Sequence, residues 1–423
     1  MNKSRLVAAV DIGSSKITTV IAQVITEEIT QDSSANVVGV SNLPSRGVKK
    51  GQIVDIEDAV EAIISSVEAA ERMAGYNLDQ AFISVGGAHV NSQNSKGVVA
   101  VSNPNGEVTV EDVDRVIEAA RAVSHPASRE IIHVIPREFI VDGEAGVRDP
   151  VGMSGVRLEV ETHIVTASSA ALKNLRKSVN EVGVQVSDLV FSGLASSFAT
   201  ITPTEKELGC VLVDIGAGTT SIAAFVDGGL AYSGSLPVGA RNVTNDLAIG
   251  LRVSLDAAEK IKIGLSKKSK LTDKHGKEVV EIDETGTSEP KTVSKRTITE
   301  GIIKPRLNEI FSMVKQELDK AGIANKVPSG AIVTGGGAMT MGVEESAKRI
   351  LSLPTRVSDP DGVRGLIDDI GDPRFSTVIG LILYGMAHYS EKKNTTSSLP
   401  ANVKLPNMGS LTKLVDTIRD LLP

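Results

Sequence analysis

Two short segments of the chain repeat one chemical pattern. Asp11-Ile-Gly-Ser-Ser-Lys16 and Asp214-Ile-Gly-Ala-Gly-Thr-Thr220 each set an aspartate two residues ahead of a glycine and follow it with small or hydroxyl side chains. Backbone N–H groups at such a tip can converge on a phosphate, the Ser and Thr hydroxyls add donors, and Lys16 adds a positive charge. A carboxylate cannot rest against phosphate without a cation between them, so Asp11 and Asp214 imply Mg²⁺, held through its waters. A third turn, Thr334-Gly-Gly-Gly-Ala338, has no bulk over its centre, and a flat purine can lie against its backbone. One such aspartate turn alone is common in hairpins. Two copies, followed in order by the glycine turn, point to a nucleotide site.

Each motif needs an element to aim it. Leu6-Val-Ala-Ala-Val10 and Ile17-Thr-Thr-Val-Ile21 flank the first turn, and Cys210-Val-Leu-Val213 and Ser221-Ile-Ala-Ala-Phe225 flank the second. These apolar runs predict two β-hairpins with the motifs at their tips. Ala331-Ile-Val333 predicts a strand before the third turn, with a helix over 344–351 beyond it. The arrangement predicts two related halves, each lending one hairpin to a shared cleft. Between the hairpins, 81–90 and 97–101 read as strands, 111–123 as a helix capped by Thr109, and 130–135 and 156–166 as further strands, so that 84–164 is expected to form a small inserted α/β unit. The polar stretch 267–295 reads as an exposed hairpin in a subdomain, and 390–409 as a linker.

Composition excludes several functions. With 423 residues, 41% hydrophobic and 23% charged, the chain is an ordinary folded protein of several domains. A net charge of −7, aromatics at 3% and no Trp argue against nucleic acid as a partner. The six histidines show no paired metal-ligand spacing, and the lone Cys210 lies in an apolar run that reads as core. The N-terminus does not read as a signal peptide, and no run approaches the ~20 apolar residues of a spanning helix. Location in the cytoplasm, with peripheral membrane contact at most, is expected.

Beyond the three turns, Ser84-Val-Gly-Gly-Ala-His-Val-Asn-Ser-Gln-Asn-Ser-Lys-Gly97, His133-Val-Ile-Pro-Arg-Glu-Phe139, Asp149-Pro-Val-Gly-Met-Ser-Gly-Val-Arg-Leu-Glu159 and Pro237-Val-Gly-Ala-Arg-Asn-Val-Thr-Asn-Asp246 carry a more specific signal. The order of turns resembles the actin, Hsp70 and sugar-kinase superfamily, and these stretches resemble the FtsA family of bacterial cell-division proteins over nearly the whole chain. The resemblance implies an α/β, actin-like two-lobed fold with a duplicated core: lobe I at 1–83, 165–205 and about 370–390; the FtsA-type insert at 84–164; lobe II at 206–240 and 300–369; and its small subdomain at 241–299.

It further implies ATP with Mg²⁺. Asp11, Gly13, Ser14, Ser15 and Lys16 would form one phosphate hairpin, and Asp214, Gly216, Ala217, Gly218, Thr219 and Thr220 the other, with Gly239 nearby. Gly335, Gly336, Gly337, Ala338 and Met339 would form the adenosine loop. Glu259 and Lys262, on one helical face, would reach the nucleoside, although the same spacing also suits a plain surface ion pair. Ala217 replaces a glycine frequent in the motif and is compatible with binding if its φ is negative. Asp188 would stand where actin-like proteins place the Gln or Glu that orients the attacking water, and it is one methylene shorter than Glu, which shortens its reach to that water; on the adaptor role that the family implies, hydrolysis would be slow or regulatory.

The family implies an adaptor that polymerises, tethers the tubulin-like division protein FtsZ to the inner face of the cell membrane at the division site, and recruits later division proteins on the insert. Arg296 and Arg306, around a helix at 300–318, would meet the acidic C-terminal peptide of FtsZ; a solvated basic face is the plainer reading. A metabolic kinase and a pilus-assembly scaffold share the superfamily motifs. No second substrate motif supports the kinase, and the insert stretches disfavour both. In the tail 410–423, Leu411, Leu414, Val415, Ile418, Leu421 and Leu422 fall on one helical face, predicting an amphipathic helix for the membrane surface.

Overall fold

A computed structural model of the chain describes residues 3–26, 33–266, 278–282, 291–366 and 370–396. The tail residues 411–422 and most of the linker lie outside them. The residues up to Met386 form one unit and Ala387 onward another.

The first hairpin is β1 (Lys3–Ile12) with β2 (Lys16–Thr26), extended by β3 (Ser33–Pro44); the two-residue strands β4 (Val48–Lys49) and β5 (Gln52–Ile53) follow. After the helix Ile56–Ala74, β6 (Gln80–Val85) pairs parallel to β1. Thus the strand expected over 81–90 stops at Val85 and belongs to the first sheet, not to the insert. Its five apolar or small residues Ala81–Val85 are buried, and Gly86 and Gly87 turn the chain out of the sheet. The insert is a four-stranded antiparallel sheet of β7 (Asn91–Ala100), β8 (Arg129–Val141), β9 (Glu144–Val147) and β10 (Arg157–Ser168), in the order β7-β10-β8-β9. A helix, Val110–Arg121, covers it, its start fixed by a capping box in which Thr109 and Asp112 satisfy each other's backbone N–H. Val116, Ala120, Leu158 and Val160 close this separate small core.

The chain returns to the first sheet through the helix Ser169–Glu181 and β11 (Gln185–Phe191), which completes the order β11-β6-β1-β2-β3. The second hairpin is β12 (Cys210–Ile215) with β13 (Thr220–Val226), flanked by β14 (Gly229–Leu236). Cys210 is fully buried, and its surroundings push the thiol up to about 12, so it is core as expected. A short antiparallel pair, β15 (Val279–Ile282) and β16 (Lys291–Ser294), stands in the polar stretch. Finally β17 (Ala331–Thr334) and β18 (Thr355–Val357) add parallel to β12, and β19 (Val363–Gly365) crosses back to edge the first sheet beside β3.

The two halves therefore match: hairpin, third antiparallel strand, then a parallel strand beside the first. The helix Ser376–Thr396 extends over the first residues of the stretch read as a linker from 390. Its Gly380 is required by contact. A Cβ there would lie 1.8 Å from the carbonyl oxygen of Ala195, on the helix Ser192–Thr200, so the two helices touch backbone to backbone.

Candidate functional site

The two aspartate turns fold alike. In the first, Gly13 N–H donates to the Lys16 carbonyl at 3.0 Å; in the second, Gly216 N–H donates to the Thr219 carbonyl at 2.8 Å. The tips face each other closely enough that a Cβ on Gly218 would lie 2.9 Å from Ser14 Oγ. Ser14 Oγ in turn accepts from Gly51 N–H at 2.9 Å. Between and beside the tips opens a cleft of about 690 Å³, ample for a nucleotide. Asp11, Gly13, Ser14, Ser15 and Lys16 line it, as do Asp214, Gly216, Ala217, Gly218 and Thr219. Ala217 has no positive φ, so its methyl is tolerated.

Gly239 and Thr220 act one layer back. A Cβ on Gly239 would sit 2.6 Å from the Gly216 carbonyl oxygen, so only glycine lets the helix Ala240–Leu251 approach the second tip and donate its Ala240 and Arg241 N–H groups to the Gly216 and Ala217 carbonyls. Thr220 is buried and donates to the Val238 carbonyl at 2.9 Å.

Hydroxyls orient both carboxylates. Ser84 Oγ donates to Asp11 Oδ1 at 2.6 Å. Ser196 Oγ and Thr377 Oγ1 donate to Asp214 Oδ2 at 2.6 and 2.9 Å. Burial, reinforced by the charge of Asp11, still drives Asp214 up to about 6, and burial raises Asp11 as well. Two carboxylates that face one cleft and repel each other fit a divalent cation between them. Among the described residues no three His, Cys, Asp or Glu side chains are grouped so as to hold a metal ion, so a cation there would take its remaining ligands from water and phosphate. Lys16 is lowered to about 8, chiefly by burial and against the pull of Asp11; its Nζ donates to the Arg374 carbonyl at 2.8 Å and lies 4.3 Å from the Phe375 ring centroid.

The far end of the cleft is the glycine turn. Gly335 has φ +83°, and a Cβ there would lie 2.2 Å from Asp214 Oδ1, which ties this turn to the second hairpin. Gly335, Gly336, Gly337 and Met339 line the cleft, whereas Ala338 is buried behind them. Opposite stands the helix Leu255–Ser266, whose Ser266 Oγ donates to the Met339 carbonyl at 2.6 Å. Its Glu259 and Lys262 line the cleft and also form the ion pair of the plainer reading, at 2.7 Å. Lys262 is nearly buried and donates as well to Thr244 Oγ1 at 2.9 Å.

Two of the expected site residues lie outside the cleft. Asp188 does not line the cleft: it lies within β11, where its carboxylate accepts from Tyr384 Oη at 3.0 Å and from the Leu189 N–H at 2.8 Å. Arg306 is already engaged within the chain, its guanidinium clasping Asp246 at 2.6 and 3.0 Å and pairing with Glu309. It braces the helix Lys304–Lys320 on the helix Ala240–Leu251, and of the two arginines only Arg296 stands exposed. The residues missed were Ser84, Ser196 and Thr377. Ser84 is a lone hydroxyl in an apolar strand, a signal that a buried acceptor must be near, whereas Ser196 and Thr377 each stand beside a second serine and carry no such signal.

Comparisons with known proteins agree with this architecture. The family model "SHS2 domain inserted in FTSA" matches residues 87–166, and "Cell division protein FtsA" matches 211–380. The first range begins after β6, as the sheet pairing requires. Among solved structures, a PilM-PilN type IV pilus biogenesis complex superposes with a TM-score of 0.62 at 16% identity, covering 90% of this chain and 98% of that one. MreB5 of Spiroplasma citri bound to ADP gives 0.53 at 13% identity, covering 93% and 98%. These establish an actin-like fold. Cell division protein FtsA of Borreliella burgdorferi is 40% identical over 95% of both chains, and that of Bacillus subtilis 40% identical over 91% of this chain and 84% of its own. With such identity over nearly its whole length, the chain belongs to the FtsA family of cell-division proteins.

Proposed function

We propose that the cleft binds ATP with Mg²⁺ and that the bound nucleotide holds the two halves together in a form that self-associates and tethers FtsZ to the inner face of the cell membrane at the division site. The observation that carries the nucleotide reading is the matched pair of glycine tips, each presenting one hydroxyl-held aspartate to a single cleft with Lys16 and Lys262 at its walls. MreB5 of Spiroplasma citri, bound to ADP or AMPPNP, supports it by sharing the fold. Asp11 and Asp214 would hold the metal, which neutralises phosphate charge. The hairpin N–H groups would cradle the phosphates, and Gly335–Gly337 with Met339 would receive the purine.

Outside the cleft, the exposed Arg296 is the place for an acidic FtsZ peptide, and the insert is the place for later division proteins. Among the described residues no helix is long and apolar enough to cross a membrane. The tail face of Leu411, Leu414, Val415, Ile418, Leu421 and Leu422 would instead lie on the lipid surface, and many tails on one assembly would act together where a single one is weak. Calorimetry tests the nucleotide reading: ATP binds the wild type only with Mg²⁺ present, and Asp214→Ala and Gly336→Asp abolish binding. Unchanged affinity in both variants would sink it. Vesicle co-sedimentation tests the tether: removing 408–423 releases the protein from lipid, and equal pelleting by the truncated chain rules the tail out as anchor.

A further inference from the structure

The cleft has a wall that neither the phosphate tips nor the purine loop accounts for. β6 and β11 run parallel and side by side, with Val190 opposite Ser84 and Phe191 opposite Val85. In open α/β sheets ligands gather at the carboxyl ends of such strands. At that end β6 supplies Ser84, which holds Asp11, and the residue after β11 is Ser192, first in the helix Ser192–Thr200. Ser192 lines the cleft. Its Oγ lies 2.9 Å from Ser221 Oγ, and Ser221 stands opposite Asp214 in the second hairpin. The main chain of Gly86 closes the wall, since a Cβ there would lie 3.2 Å from Ser192 Oγ.

Asp188 sits three residues before the last residue of the strand, about 10 Å from that end at ~3.3 Å per residue, too far for its short side chain to bridge. On the nucleotide reading above, from which this follows, hydrolysis forms a bond from a water oxygen to the terminal phosphorus. The bond from that phosphorus to the bridging oxygen breaks, ADP leaves, and the protons of the water end on phosphate and solvent. A side chain that speeds this step must accept a hydrogen bond from the water and hold it in line. Ser192 is short and neutral and is paired with another hydroxyl, while Asp11 and Asp214 are each engaged by serine. We infer that Ser192 occupies the water-orienting position of this cleft, and that its short hydroxyl makes the protein a slow-turnover ATP holder which a longer side chain at 192 would convert into a faster ATPase.

Single-turnover hydrolysis of radiolabelled ATP by the full chain tests this, with ATP and ADP affinity measured by calorimetry on the same samples. Ser192→Gln is expected to turn over at least tenfold faster than wild type, and Ser192→Asn, with a shorter carboxamide, to show a smaller gain. Asp188→Asn, which keeps an acceptor for Tyr384, stays at the wild-type rate. Both Ser192 variants binding ATP with wild-type affinity but hydrolysing it no faster would overturn the inference, as would a tenfold loss in Asp188→Asn. Failure of the wild type to bind ATP at all would overturn the nucleotide reading as well, and calorimetry separates the two results.

Discussion

Asp214 is a buried carboxylate, and replacing it by asparagine should stabilise the nucleotide-free protein. The carboxyl is held at about 6 against 3.8 in an unfolded chain, mainly by desolvation. At pH 7 that displacement corresponds to about 3 kcal/mol favouring the unfolded state. The sign follows from linkage. A carboxyl held above its unfolded value favours folding while it is protonated; that contribution is fully present below 3.8 and is lost as the pH rises through about 6. The Asp214→Asn variant never acquires the charge. It keeps one acceptor for the Ser196 and Thr377 hydroxyls, and these can rotate to accept from the new amide. Allowing for imperfect pairing, the net gain at pH 7 is about 1 to 3 kcal/mol. Urea denaturation at pH 7.5 and 4 measures it: the variant is the more stable at pH 7.5, and the difference shrinks toward zero at pH 4. Adding Mg²⁺ and ATP reverses the order, because only the wild type then gains binding energy. A variant less stable than wild type at pH 7.5, or a gain that does not change with pH, would refute the reasoning.

Lys16, lowered to about 8 by burial, should make ATP affinity decline as the pH rises past about 8, and Lys16→Met should flatten that dependence in calorimetry from pH 7 to 9.5. Gly380→Ala would drive a methyl into the Ala195 carbonyl and should cost at least ~2 kcal/mol in urea denaturation, with Gly264→Ala, whose Cβ meets nothing within 4 Å, as the harmless control. Arg306→Ala removes the clasp on Asp246 and should destabilise by about 1 kcal/mol, discounted because both partners are partly in solvent; an unchanged urea midpoint would show that the clasp contributes nothing to stability.

What the sequence made legible follows from how local each signal is. The hairpins and the glycine turn are short-range features, with apolar alternation on either side of a turn whose glycines are required by close backbone approach, and both tips stand where the motifs placed them. The capped helix of the insert was equally local, with Thr109 and Asp112 three residues apart. Pairing over long range was not legible. Residues 81–85 look like any apolar strand, and only the parallel register with β1 and β11 assigns them to the first sheet. Asp188 illustrates the same limit: alignment by residue type put it near the water site, but a strand of fixed rise carries it out of reach and offers Ser192 instead. The clasp of Arg306 on Asp246 joins residues from two helices well apart in the chain, and nothing in either segment announces it.

The proposed function turns on one ligand in one cleft, and the most direct measurement is a crystal structure of the full chain grown with Mg²⁺ and a non-hydrolysable ATP analogue. The triphosphate should lie between the tips at Gly13–Lys16 and Gly216–Thr219, with Mg²⁺ between Asp11 and Asp214 and the purine against Gly335–Gly337 and Met339. A nucleotide bound elsewhere, or an empty cleft at saturating analogue, would contradict it.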